Sequence, residues 1–62
     1  MEITFYHTAT NLTGQPYRAK LMSFQFPAGT SEEVGVAMAA KQFQKEMKIV
    51  HWQDVAQSYE IT

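Results

Sequence analysis

The chain has 62 residues, five Lys or Arg against six Asp or Glu, a net charge of −1 and no cysteine. That length supports one small domain with a thin core, and the lack of cysteine excludes disulfides, thiolate metal sites and cysteine nucleophiles, so a reducing compartment such as the cytoplasm is its natural setting. The near-neutral balance gives no overall field for nucleic acid or an anionic membrane, no run approaches the ~18 apolar residues of a membrane span, and eight aromatic residues argue against disorder.

Glu2 to Thr8 alternates, with Ile3, Phe5 and His7 on one face and Thr4, Tyr6 and Thr8 on the other, and so predicts a first strand. No basic or apolar leader precedes it. Ala9 to Pro16 carries Asn11, Thr13, Gly14 and Pro16, which is loop chemistry. Asn11, Leu12 and Thr13 match a glycosylation acceptor, a pattern common by chance. Tyr17 to Phe26 predicts a second strand. Strict alternation puts Met22, Phe24 and Phe26 on one face and Tyr17, Ala19, Leu21, Ser23 and Gln25 on the other.

Pro27, Ala28 and Gly29 end that strand. Thr30 is placed to cap a helix, and Glu33 has the capping-box spacing from it. Val36, Ala39, Ala40, Phe43 and Met47 then form one apolar stripe on a helix of about 16 residues. Gly35 weakens that helix and would permit a close approach to the sheet. Ile49 to Trp52 reads as an apolar connector, Gln53 and Asp54 as a turn, and Val55 to Ile61 as a final strand.

The predicted fold is α+β, with the order β-β-α-β in a single domain spanning 1–62. A right-handed crossover places the third strand beside the first, giving a three-stranded antiparallel sheet in the order 2-1-3, with one helix packed on one face. The helix would cover Phe5, Met22, Phe24, Phe26 and Tyr59. The opposite face would carry Tyr6, Tyr17 and Leu21 among Thr4, Thr8, Ala19 and Ser23.

That uncovered face is the leading functional candidate. Tyrosines beside small polar residues suit a contact with a second copy or a small protein partner, supplemented by an edge strand. The plainer reading is a solvated sheet face, which antiparallel sheets often have. Val34 and Met38, one turn apart on the outer side of the helix, are further interface candidates, although isolated surface apolar residues are ordinary. Trp52 suits either an interface anchor or a plug at the open end of the core.

The alternative function is weak nucleic-acid binding through Arg18, Lys20, Lys41, Lys45 and Lys48, if the second strand and the helix end bring them into one patch. Against it, lysines late in a helix complement its dipole, and so few cations give a weak, salt-sensitive attraction. His7, His51 and Asp54 lack metal-ligand spacing, so no metal is expected. Asp54 and Glu60 would lie about 20 Å apart on one strand, too far to share one bond. With no nucleophile or phosphate-loop motif, neither catalysis nor a cofactor is expected.

Overall fold

The computed structural model describes residues 1–62. Its elements are β1 (Glu2–Thr10), β2 (Pro16–Gln25), α1 (Glu32–Met47), a 3₁₀ turn at Trp52–Asp54, and β3 (Ser58–Ile61). The strands form one antiparallel sheet in the order β2-β1-β3. Helix α1 packs on one face, so the α+β arrangement is the one the alternation and crossover argument predicts.

Phe5 is the centre of the core. Its ring stacks on Phe43 of α1 at 4.6 Å and meets Phe24, Trp52 and Tyr59 at 6.2, 5.4 and 6.2 Å. Ile3, Phe5, Ala39, Phe43 and Ala56 are wholly buried, and Met22, Phe24, Phe26, Val36, Ala40, Ile49 and Trp52 pack around them. Trp52 therefore plugs the end of the core rather than standing free. The buried line of α1 is Gly35, Ala39 and Phe43. Met47, expected in this stripe, is exposed, and the core beyond Phe43 is filled instead by Ile49, Trp52, Val55 and Ala56 from the chain that follows the helix.

Element ends differ from the sequence expectation for local reasons. Both hairpin strands run further toward the loop, because Asn11 closes that loop itself. Its Oδ1 accepts from the Thr13 N–H at 3.0 Å, the Gln15 N–H at 2.9 Å and the Thr13 hydroxyl at 2.7 Å. Ser31, not Thr30, caps α1: its hydroxyl oxygen accepts from the Val34 N–H at 3.2 Å. The Thr30 hydroxyl donates instead to the Pro27 carbonyl at 2.8 Å, so the Thr30–Glu33 capping box does not form. The third strand starts at Ser58 rather than Val55. The 3₁₀ turn holds the preceding chain, with the Val55 and Ala56 N–H groups donating to the Trp52 carbonyl at 3.1 and 2.9 Å. Asp54 thus lies in a turn, as the reading of Gln53 and Asp54 expects, and does not share a strand with Glu60.

A β-bulge re-sorts the sheet faces. Phe5 pairs with Met22, but Tyr6 pairs with Lys20, leaving Leu21 as the extra residue on β2. Beyond this point the alternation of β2 is inverted relative to the prediction. Tyr17 and Ala19 now lie opposite Ala9 and His7, on the side that carries α1, while Arg18 and Lys20 lie opposite Thr8 and Tyr6 on the uncovered side. Strict alternation placed these four residues the other way round.

The cover is incomplete along the strands as well. β3 pairs only with Ile3 to Tyr6, so His7–Thr10 and Pro16–Lys20 continue as a two-stranded arm. This arm fits the elongated shape of 42 × 24 × 14 Å. Its root is tied back by Gln57, whose Oε1 accepts from the Thr8 N–H at 2.7 Å and whose N–H donates to the Tyr6 carbonyl at 2.9 Å.

Candidate functional site

The uncovered sheet face is polar and internally paired. The Thr4 and Ser23 hydroxyls share a hydrogen bond at 2.8 Å. Arg18, brought to this side by the bulge, lies over the Tyr6 ring at 4.2 Å and donates to Glu60 Oε1 at 2.7 Å. The guanidinium thus spans from β2 across β1 to β3 and lies on the tyrosine that sequence reasoning offered as an open anchor. Thr4 beneath this network is only 5% exposed. Tyr6, Tyr17 and Leu21 do not form one patch: Tyr6 is roofed by Arg18, Tyr17 is on the opposite side of the arm, and Leu21 is the unpaired bulge residue.

The sheet has two free edges, β2 and β3, and they differ in kind. The β2 edge carries Pro16, the bulge at Leu21, and the charges of Arg18 and Lys20, all of which deter pairing with another strand. β3 has neither proline nor bulge, and its single charge, Glu60, is drawn across the uncovered face by Arg18. Glu2 and Thr62 exchange both backbone hydrogen bonds, at 2.8 and 2.9 Å. Alternation from that pair turns the N–H and C=O of Glu60 toward Thr4 and those of Tyr59 and Ile61 outward to the free edge.

Beside this edge, on the side of α1, lies an open trough of about 340 Å³ lined by Glu32, Glu33, Val36, Tyr59 and Ile61. The local sequence builds it. Tyr59 and Ile61 alternate toward the helix side, opposite Phe5 and Ile3. Val36 lies one turn into α1 beyond the acidic pair that follows the Ser31 cap. Tyr59 is 39% exposed, and Val36 and Ile61 are half-buried. Neither Glu32 nor Glu33 forms an ion pair, the molecule's single ion pair being Arg18–Glu60. Sequence reasoning missed this trough. Its trace in the sequence is the alternation of Tyr59 and Ile61, together with the offset of Val36 from Glu32 and Glu33.

The remaining candidates are dispersed. Arg18 and Lys20 lie on the uncovered side of the sheet, whereas Lys41, Lys45 and Lys48 belong to the helix layer on the other side, with Lys48 serving as the helix C-cap. The five cations therefore make no single patch. Val34 and Met38 are exposed on α1 as expected, at 53% and 47%. His7 lies on the arm and His51 is exposed before the 3₁₀ turn. No group of three or more His, Asp or Glu side chains is placed to hold a metal ion, and no helix is long and apolar enough to cross a membrane. Comparison with protein-family models, with curated proteins and with solved structures finds no match to this chain.

Proposed function

We propose that this chain is a small, non-enzymatic protein-interaction module that takes up an extended segment of a partner by strand addition at β3. The observation that carries this reading is the contrast between the edges: β2 is guarded, whereas β3 presents the outward backbone groups of Tyr59 and Ile61 directly beside a partly apolar trough. Strand addition draws its affinity from main-chain hydrogen bonds and its selectivity from pockets for alternate side chains, and this arrangement supplies both. It replaces the tyrosine face as the contact surface, because Arg18 already lies on Tyr6. Nucleic-acid binding draws less support, since the cations divide between the two sides of the sheet. A cytoplasmic setting accords with the absence of cysteine.

The test is selection of random linear peptides against the full chain, with Tyr59→Pro as the counter-target. This substitution removes an outward N–H on an edge strand and leaves the bonds to β1 in place. Peptides that bind the parent and not Tyr59→Pro support the reading. No enrichment, or equal binding to both proteins, refutes it. A second copy of the chain is the competing occupant, and a concentration-dependent mass in sedimentation that Tyr59→Pro abolishes would identify it.

A further inference from the structure

Resting on the strand-addition reading, we infer that the β3 trough selects a segment with a basic residue and an apolar residue two positions apart. A strand added at β3 alternates its side chains, so those opposite Ile61 and Tyr59 enter the trough together and the residue between them points away. The trough differs along its length. Gly35 of α1 lies against Ile3, which pairs with Ile61, whereas Phe43 stacks on Phe5, which pairs with Tyr59. The helix start, with Glu32 and Glu33, therefore overhangs the Ile61 end. The aromatic surface of Tyr59, backed by Trp52 at 5.8 Å, forms the other end.

Charge complementarity sets the first position. Glu32 and Glu33 line the trough and are exposed, and no cation of the chain pairs with either. A lysine or arginine opposite Ile61 meets this carboxylate pair, which has no side-chain cation of its own, and an aspartate or glutamate there meets repulsion, which is a means of rejecting wrong segments. The second position falls opposite Tyr59, where Val36 and the tyrosine ring offer apolar contact. The occupant is therefore an extended, basic-apolar alternating segment of another protein. Antiparallel addition, which continues the pattern of the sheet, requires the basic residue to precede the apolar one in that segment.

The test uses blocked seven-residue, strand-favouring peptides with lysine and leucine two positions apart, titrated into isotopically labelled full chain and followed by amide NMR. The lysine–leucine peptide is expected to shift the Tyr59 and Ile61 amides. Exchanging its lysine for glutamine weakens binding about threefold to fivefold, and glutamate weakens it further. In the protein, Glu32→Gln with Glu33→Gln removes the preference for lysine while the neutral peptide still binds, and a thermal melt confirms the variant is folded. Equal affinity for the lysine and glutamine peptides at those amides overturns the charge selection and leaves strand addition standing. If no peptide shifts the Tyr59 and Ile61 amides, or the shifts fall on Glu2 and Glu60 instead, both readings fail.

Discussion

Gly35 seats α1 against the start of β1 with no room for a side chain, and it allows a quantitative check of how the helix layer is seated. A Cβ built there meets the Met1 methyl and lies 3.2 Å from Ile3 Cδ1. The Met1 methyl ends a flexible, partly exposed side chain and can swing aside. Ile3 is wholly buried and has nowhere to move. Gly35→Ala therefore gains about 1 kcal/mol of helix propensity and loses about 1–3 kcal/mol to overpacking, a net loss of roughly 0–2 kcal/mol. Ile3→Val removes the obstructing Cδ1 and by itself costs about 0.5–1.5 kcal/mol. Together the two changes move one methyl group from β1 to α1, so volume is conserved and the helix gain remains. The double variant is expected at or up to about 1 kcal/mol above the parent, whereas additivity would place it about 0.5–3.5 kcal/mol below. Urea denaturation of the four proteins measures this, since a 62-residue domain has a total stability of roughly 3–9 kcal/mol. Single-variant effects that sum to the double within about 0.5 kcal/mol would refute the contact and the seating of α1 with it.

Three further outcomes are expected. Lys48 holds the helix C-cap at φ 57°, in the left-handed region, so Lys48→Gly raises stability by about 1 kcal/mol in the same denaturation assay. Asn11→Ala removes the acceptor of three hydrogen bonds at the hairpin loop; it lowers global stability by about 1 kcal/mol and speeds hydrogen exchange in the arm more than at Phe5. Trp52 packs between Phe5 and Tyr59, so acrylamide quenches its fluorescence less than that of free tryptophan, and Trp52→Ala destabilises the fold by about 3–5 kcal/mol.

Much of this fold was legible where a periodicity had a single interpretation. Alternation over Glu2 to Thr8 and the helical spacing of Ala39 and Phe43 each admit one element. Crossover handedness then places β3 beside β1. The errors fall where neighbouring residues offer near-equal solutions. Thr30 and Ser31 are both good caps, and the Pro27 carbonyl engages the first, leaving Ser31 for the helix. Val55 continues the alternation of the last strand, but the Trp52 carbonyl captures the backbone just after the 3₁₀ turn. The bulge at Leu21 carries neither glycine nor proline to announce it. Met22 and Phe24 commit the proximal half of β2 to the core, whereas Tyr17 and Ala19 against Arg18 and Lys20 are balanced enough that alternation alone does not choose a face. The trough escaped sequence reasoning because it joins the start of α1 to the end of β3, two segments that only the tertiary fold brings together.

The bulge links these findings. Were β2 paired without the bulge, with Leu21 opposite Tyr6, Arg18 would lie on the helix side of the arm, Tyr17 and Ala19 would join Tyr6, and the uncovered face would offer the tyrosine patch that strict alternation predicts. With it, Arg18 reaches across to Glu60 and lies on Tyr6, closing that face with the chain's own side chains. The same irregularity distorts the outer edge of β2 where another strand would have to pair. One inserted residue thus disfavours association at both the face and the β2 edge, and the short β3 edge remains as the place where main-chain groups and a lined trough occur together. Deleting Leu21 would bring Lys20 directly before Met22 and make the pairing regular, while leaving Arg18 opposite Thr8 and within reach of Glu60. Such a variant should keep the Arg18–Glu60 contact and the cover on Tyr6 but present a regular β2 edge, and self-association appearing only in that variant would be the direct sign that the bulge guards β2 and directs binding to β3.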